Sequence, residues 1–212
     1  MVYLDSSLWF PDVSEATSDG VLALGGDLSV ERLLLAYRSG IFPWYEEGQP
    51  IIWWSPNPRM VLFPNNLKVS KSLRQTLRSG KFRVTFNSCF PEVIAQCAAI
   101  QRPGQHGTWI TPEMQRAYVT LHQRGFARSV EVWQDRELVG GIYGVDLAEK
   151  KVFCGESMFA KVSDASKVGF YHLVNRLRQE GYALIDCQVH TEHLQRLGAS
   201  EIDRELFLSY LD

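Results

Sequence analysis

Between residues 128 and 188 the chain reads strand, strand, strand, long helix, strand, and that order narrows the folds open to it more than any other feature. Strand-like runs cover 128–134, 137–145 and 150–158, with Asp135-Arg136 as the turn between the first two. A helix capped by Ser163 or Asp164 runs to about Glu180, with Val168, Phe170/Tyr171, Leu173/Val174 and Leu177 at helical spacing. A strand over 182–188 follows, then a short helix over 191–197 that Gly198 ends. Three strands, a crossing helix and a returning strand predict a mixed α+β sheet in which the helix joins two neighbouring strands.

Upstream the pattern is more broken. Residues 1–20 read as irregular. A strand at Val21–Leu24 precedes a helix over 30–38 that Asp27 or Ser29 caps and Gly40 ends. An aromatic-rich loop spans 41–56, and Pro56, Pro58 and Pro64 punctuate its exit. A boundary near 57–63 is expected, giving a small N-terminal domain (1–60) and a larger domain (61–212). The larger domain opens with a helix over 70–79, a strand over 81–87, and two helices that begin at Pro91 and Pro112.

No apolar run approaches the roughly 20 residues of a membrane span, and Met1–Ser7 has no basic segment of a signal peptide. A cytoplasmic protein without a membrane partner is expected. The four cysteines show no CxxC spacing and read as reduced, and His190 and His193 lack a third ligand, so no metal is expected. Net charge is −2, but its distribution is uneven. From Gly48 to Pro91 there is no acid, while Arg59, Lys68, Lys71, Arg74, Arg78, Lys81 and Arg83 give +7 and leave −9 for the rest. Such asymmetry points to a polyanion-binding face, against the plainer reading of a solvated face with acids supplied from elsewhere in the fold.

Three polar residues stand inside apolar strand runs: Glu156, Asp186 and Gln188. On an unbroken strand residues two apart share a face, so Asp186 and Gln188 are expected to point the same way. One acid in a sheet is usually salt-bridged or on an edge. Two on different strands, with an amide beside one, put a site on equal footing with that structural reading, and the rest of the chain must decide.

The strand and helix order is similar to that of the acetyltransferases of the GNAT type, which seat an acyl donor between two splayed central strands. Such enzymes bind the pyrophosphate of coenzyme A on a glycine-rich turn before the long helix. Met158–Lys167 has no glycine and carries Asp164 there, so another acyl donor is expected. The basic stretch, with Trp44, Trp53, Trp54 and Trp109 as candidate stacking platforms, of which two are expected to be core, suits a single-stranded RNA end.

The chain resembles the bacterial leucyl/phenylalanyl-tRNA–protein transferases. The resemblance runs through Leu22–Leu28 (LALGGDL), Gly40–Trp44 (GIFPW), Trp53–Pro56 (WWSP), Gly107–Thr111 (GTWIT), Leu138–Val145 (LVGGIYGV), Phe153–Phe159 (FCGESMF), Ala165–Lys167 (ASK) and Leu184–Gln188 (LIDCQ). It implies transfer of Leu, Phe or Met from charged tRNA to the α-amine of proteins that begin with Arg or Lys, without a cofactor, which marks them for N-end rule degradation. It implies catalytic roles for Glu156, Asp186 and Gln188, terminal-adenosine binding by Trp44 and Trp109, and a side-chain pocket of Phe153, Met158, Phe170, Leu173, Leu177 and Ile185. Ile142 and Leu173 stand where other members carry Met or Phe. Lys71, Arg74, Arg78, Lys81 and Arg83 are expected on the RNA backbone. Asp186 is expected to hold the acceptor's N-terminus, Gln188 to orient it or relay its proton, Glu156 to position the acceptor or the ester through hydrogen bonds, and an acidic cleft to favour Arg and Lys. A monomer suffices. The two rivals are a coenzyme A-dependent N-acetyltransferase and a non-catalytic RNA-binding module.

Overall fold

The computed structural model describes residues 1–100 and 108–212. Its spine is a seven-stranded sheet built from β5 (Arg59–Leu62), β6 (Arg83–Phe86), β7 (Ala127–Gln134), β8 (Glu137–Leu147), β9 (Val152–Ala160), β10 (Leu184–Gln188) and β11 (Ser200–Ile202). Their spatial order is β11-β5-β10-β9-β8-β7-β6. Every pairing is antiparallel except β9 with β10. The parallel pair is joined by α5 (Ala165–Gln179), the crossing helix expected from the sequence. The molecule is therefore α+β with the GNAT-like arrangement of meander, crossover and returning strand.

A smaller four-stranded sheet is formed by β1 (Val2–Leu4), β2 (Val21–Gly25), β3 (Phe42–Pro43) and β4 (Ile52–Trp54), in the order β1-β2-β4-β3. It packs with α1 (Val30–Arg38), α3 (Phe90–Ala99) and α4 (Pro112–Gln123) into one continuous apolar cluster against one face of the large sheet. On the other face α5 buries Phe170, Leu173, Val174 and Leu177, and α2 (Lys71–Arg78) adds Leu73 to the cluster beside Val168. Ser29 and Thr111 cap α1 and α4 through side-chain oxygens that accept from Arg32 N–H and Met114 N–H.

Several local expectations change. Residues 2–4 form β1, parallel to β2, and the aromatic loop contributes β3 and β4. Strands of two or three residues are too short to show a period of two. Residues 59–62 form β5, which lies between β10 and β11. Past Gly198 the chain adds β11 and α7 (Arg204–Leu208) after α6 (Glu192–Arg196). Asp164 precedes α5 in a left-handed conformation and makes no side-chain cap. Its carboxylate instead accepts from Thr76 Oγ1 of α2 at 3.1 Å and Lys167 Nζ at 2.9 Å, fastening α2 to α5.

Gly144 shows how tightly β8 lies on β9. A Cβ there would stand 2.2 Å from the Cys154 carbonyl oxygen and 2.6 Å from the Phe153 ring. Gly144→Ala should therefore lower stability by about 1–3 kcal/mol, measurable as a lower Tm.

Candidate functional site

The parallel pairing of β9 and β10 covers only Val152–Cys154 and Leu184–Asp186. Beyond it the strands separate, and a cavity of about 410 Å³ opens at the split, within the usual range for small-molecule sites. Ile142, Phe153, Met158, Phe170, Leu173 and Ile185 wall it with apolar groups. Glu156, Ser157, Gln188, Thr191 and His193 supply its polar lining, and Phe42, Pro43, Trp44 and Trp109 close another side. Leu177 belongs to the same buried cluster but does not reach the cavity; it sits behind the wall.

Two β-bulges build the polar end. Between β8 and β9 the register passes from Gly144↔Gly155 to Tyr143↔Ser157, so Glu156 is the extra residue. Between β5 and β10 it passes from Asp186↔Val61 to Gln188↔Met60, so Cys187 is the extra residue, and Gln188 takes φ 65°. A bulge re-aims side chains. Here both serve one point: Gln188 Nε2 donates to Glu156 Oε1 at 2.8 Å.

The bulge overturns one expectation. Asp186 and Gln188 do not share a face. Ile185 and Cys187 face the cavity, Asp186 points to the other side of the sheet, and the left-handed turn brings Gln188 back to the cavity. Asp186 is fully buried, and Arg59 Nε and Nη2 donate to its two oxygens at 2.8 and 2.7 Å. Its Oδ1 also accepts the Gln188 backbone N–H at 2.9 Å. Among the described residues lining the cavity Glu156 is the one acid, so a cleft walled by both carboxylates is not present.

Glu156 is held by a network the sequence did not reveal. Tyr118 Oη of α4 donates to Glu156 Oε2 at 3.2 Å, and Tyr37 of α1 is hydrogen-bonded to Tyr118. Burial pushes the Glu156 carboxyl up to about 7, the Asp186 charge adds to the rise, and the Tyr37, Tyr118 and Gln188 donors oppose it. The same burial raises both tyrosines well above their usual range, so they serve as neutral donors. Arg59, Tyr37 and Tyr118 lie in segments far from the strand motifs of Glu156, Asp186 and Gln188, and nothing in their local pattern marks them as partners of that trio.

The aromatic platforms divide. Trp53 is fully buried and its indole N–H donates to the Gly25 carbonyl at 2.8 Å. Trp54 is half-buried and donates to the Trp44 carbonyl at 2.7 Å, fixing the backbone of Trp44, which stays 39% exposed. Trp109 is half-buried at the cavity; Gly107 of its motif lies outside the described residues. Of the basic stretch, Arg59 is spent on Asp186, and Lys68, Lys71, Arg74, Arg78, Lys81 and Arg83 are all exposed.

The models of two successive domains match this chain: the leucyl/phenylalanyl-tRNA protein transferase N-terminal domain over residues 26–57 and leucyl/phenylalanyl-tRNA protein transferase over 61–212. The chain belongs to the leucyl/phenylalanyl-tRNA–protein transferase family. A member of this family from Flavobacterium johnsoniae is 59% identical over 211 residues, covering 100% of this chain and 99% of its own. One from Christiangramia forsetii is 58% identical and covers 100% of both. A solved GCN5-related N-acetyltransferase from Kribbella flavida overlaps 79% of this chain and 59% of its own at TM-score 0.40 and 8% identity, a likeness that carries no weight. Among the described residues no helix is long and apolar enough to cross a membrane.

Proposed function

We propose that this family member moves Leu, Phe or Met from its charged tRNA to the α-amine of proteins that begin with Arg or Lys, marking them for N-end rule degradation. The observation that carries the reading is the meeting of Glu156 and Gln188, at two facing bulges, on the polar side of an apolar cavity. The esterified residue's side chain occupies the walls formed by Phe153, Met158, Phe170, Leu173 and Ile185, with Ile142 beside them. An apolar hollow separates side chains differing by one methylene only by roughly 10–200-fold, which fits acceptance of several apolar residues. The terminal adenosine stacks on Trp44 and Trp109, worth roughly 1–3 kcal/mol per base.

In the reaction the acceptor amine attacks the ester carbonyl carbon. A C–N bond forms, and the bond from that carbon to the ribose oxygen breaks. Glu156 takes the amine proton and returns it to the ribose oxygen, and the Gln188 carbonyl oxygen accepts from the amine and aligns it. A carboxyl poised near 7 can do both near neutral pH. Asp186 acts from behind the cavity, through Gln188. The division into domains at 1–60 and 61–212, a monomeric state and a cytoplasmic location complete the reading.

A coenzyme A-dependent route is disfavoured by Asp164, whose carboxylate stands before α5 where a pyrophosphate would bind. Incubation with labelled Phe-tRNA and an Arg-starting peptide should yield labelled peptide, and ribonuclease added first should abolish it. Absence of labelled peptide, or equal product with acetyl-CoA as donor, would retire the proposal.

A further inference from the structure

Arg59 is a charged residue at the heart of the fold, 1% exposed, and it touches three separate parts of the chain. Its Nε and Nη2 form a fork on the Asp186 carboxylate, and its Nη1 donates to the Gly40 carbonyl at 3.1 Å. The guanidinium carbon lies 4.8 Å from the centroid of the Phe42 ring and 4.6 Å from that of Phe207. Gly40 and Phe42 begin the short segment that ends in Trp44, and Phe42 itself lines the cavity. Asp186 in turn accepts the backbone N–H of Gln188, the residue in the left-handed conformation.

A non-glycine residue with φ 65° is held against its own preference and persists only where its surroundings fix it. The Asp186 acceptor supplies that fixing on one side, and the Gln188–Glu156 hydrogen bond supplies it on the other. A buried ion pair is a poor source of net stability, because desolvation offsets its attraction. It is, however, a rigid and directional link. Only arginine provides three coplanar donors for a carboxylate and a carbonyl at once while its faces pack on two rings.

We propose that Arg59 is a positioning residue for aminoacyl transfer, joining the segment that carries Trp44 to the turn that aims Gln188 at Glu156. Through this strut the platform for the donor's adenosine and the pair that handles the acceptor amine are set in one fixed relation. Asp186 is then the strut's second half and not the proton acceptor. The inference rests on the roles given above to Glu156, Gln188 and Trp44.

The test is the steady-state pH profile of transfer from Phe-tRNA to an Arg-starting peptide for the wild type, Arg59→Lys and Asp186→Asn, each with its folded fraction measured by circular dichroism. Arg59→Lys keeps the charge but cannot hold both Asp186 oxygens and Gly40 together. It should lower kcat about tenfold or more and raise the KM for charged tRNA several-fold. A purely structural role would lower kcat only as far as the folded fraction falls, with KM unmoved, and that result overturns the proposal. Asp186→Asn leaves the Gly40 bond and the ring packing in place, so KM for charged tRNA should stay within about twofold while kcat falls. The Asp186 charge is one of the causes that raise Glu156, after burial. Its removal should therefore move the profile's inflection below its position near pH 7. An unmoved inflection, or loss of that limb altogether, would make Asp186 either irrelevant or the base, and either outcome overturns the strut. If Arg59→Lys does not fold, the Asp186→Asn profile decides alone. A wild type that labels no peptide would instead sink the functional reading itself.

Discussion

Glu156→Gln should lower the rate of transfer by roughly 10²–10⁴-fold, the usual worth of a positioned acid–base group. The substitution keeps the shape of the side chain and its place beside Tyr118 and Gln188, so the KM for charged tRNA should stay within about threefold. The wild-type profile of kcat/KM should rise with pH through two ionisations, Glu156 near 7 and the acceptor's α-amine at about 7.7–8.0. The variant should lose the lower one. Tyr118→Phe, which removes a donor from the carboxylate, should move that inflection upward. Stability follows with a defined sign. Burial raises the folded Glu156 from 4.5 to about 7, so its contribution is fully present below 4.5 and is lost as pH rises through 7. Glu156→Gln should flatten that decline in thermal melts between pH 4.5 and 8. A variant that keeps both the rate and the inflection would remove Glu156 from the chemistry.

The sequence made the central half of the molecule readable because its elements are long. The runs that became β7, β8, β9 and α5 carry eight or more residues each, enough for a period of 2 or 3.6 to show. The short strands β1, β3, β4, β5 and β11 carry two to four residues and leave no period to read. Their pairing is decided by tertiary contacts, as when β5 is slotted between β10 and β11. The site was legible as a set of residue types and illegible as geometry. Glu156, Asp186 and Gln188 stood out as polar residues in apolar runs, and two of them do meet at the cavity. Strand alternation then misplaced Asp186, because a one-residue bulge reverses faces and leaves no mark in a single sequence. Arg59 was counted with the surface cations for the same reason: charge can be tallied along the chain, but burial depends on which carboxylate folds against it.

The second large effect concerns the RNA. Lys71, Arg74 and Arg78 all lie exposed on α2, whose Leu73 is turned inward, and Lys81 and Arg83 follow on the chain just beyond. Thr76 bonds Asp164 at the start of α5, and α5 supplies Phe170 and Leu173 to the cavity wall. The helix is thus held in fixed relation to the site while presenting its cations to solvent. A phosphate backbone gripped by such a face releases counterions, so affinity falls steeply with salt and each contact adds roughly 0.7–0.9 to the slope. Reversing all three charges, as Lys71→Glu, Arg74→Glu and Arg78→Glu together, should flatten the slope of log K against log salt by roughly 2–3. At low salt the KM for charged tRNA should rise by roughly two to three orders of magnitude, because attraction is replaced by repulsion. The kcat at saturating tRNA should change little, since none of the three side chains lines the cavity. Free puromycin-like aminoacyl nucleosides, which lack the phosphate chain, should show no change in KM. A triple variant with an unaltered salt slope would place the tRNA on another surface and leave α2 as a solvated helix.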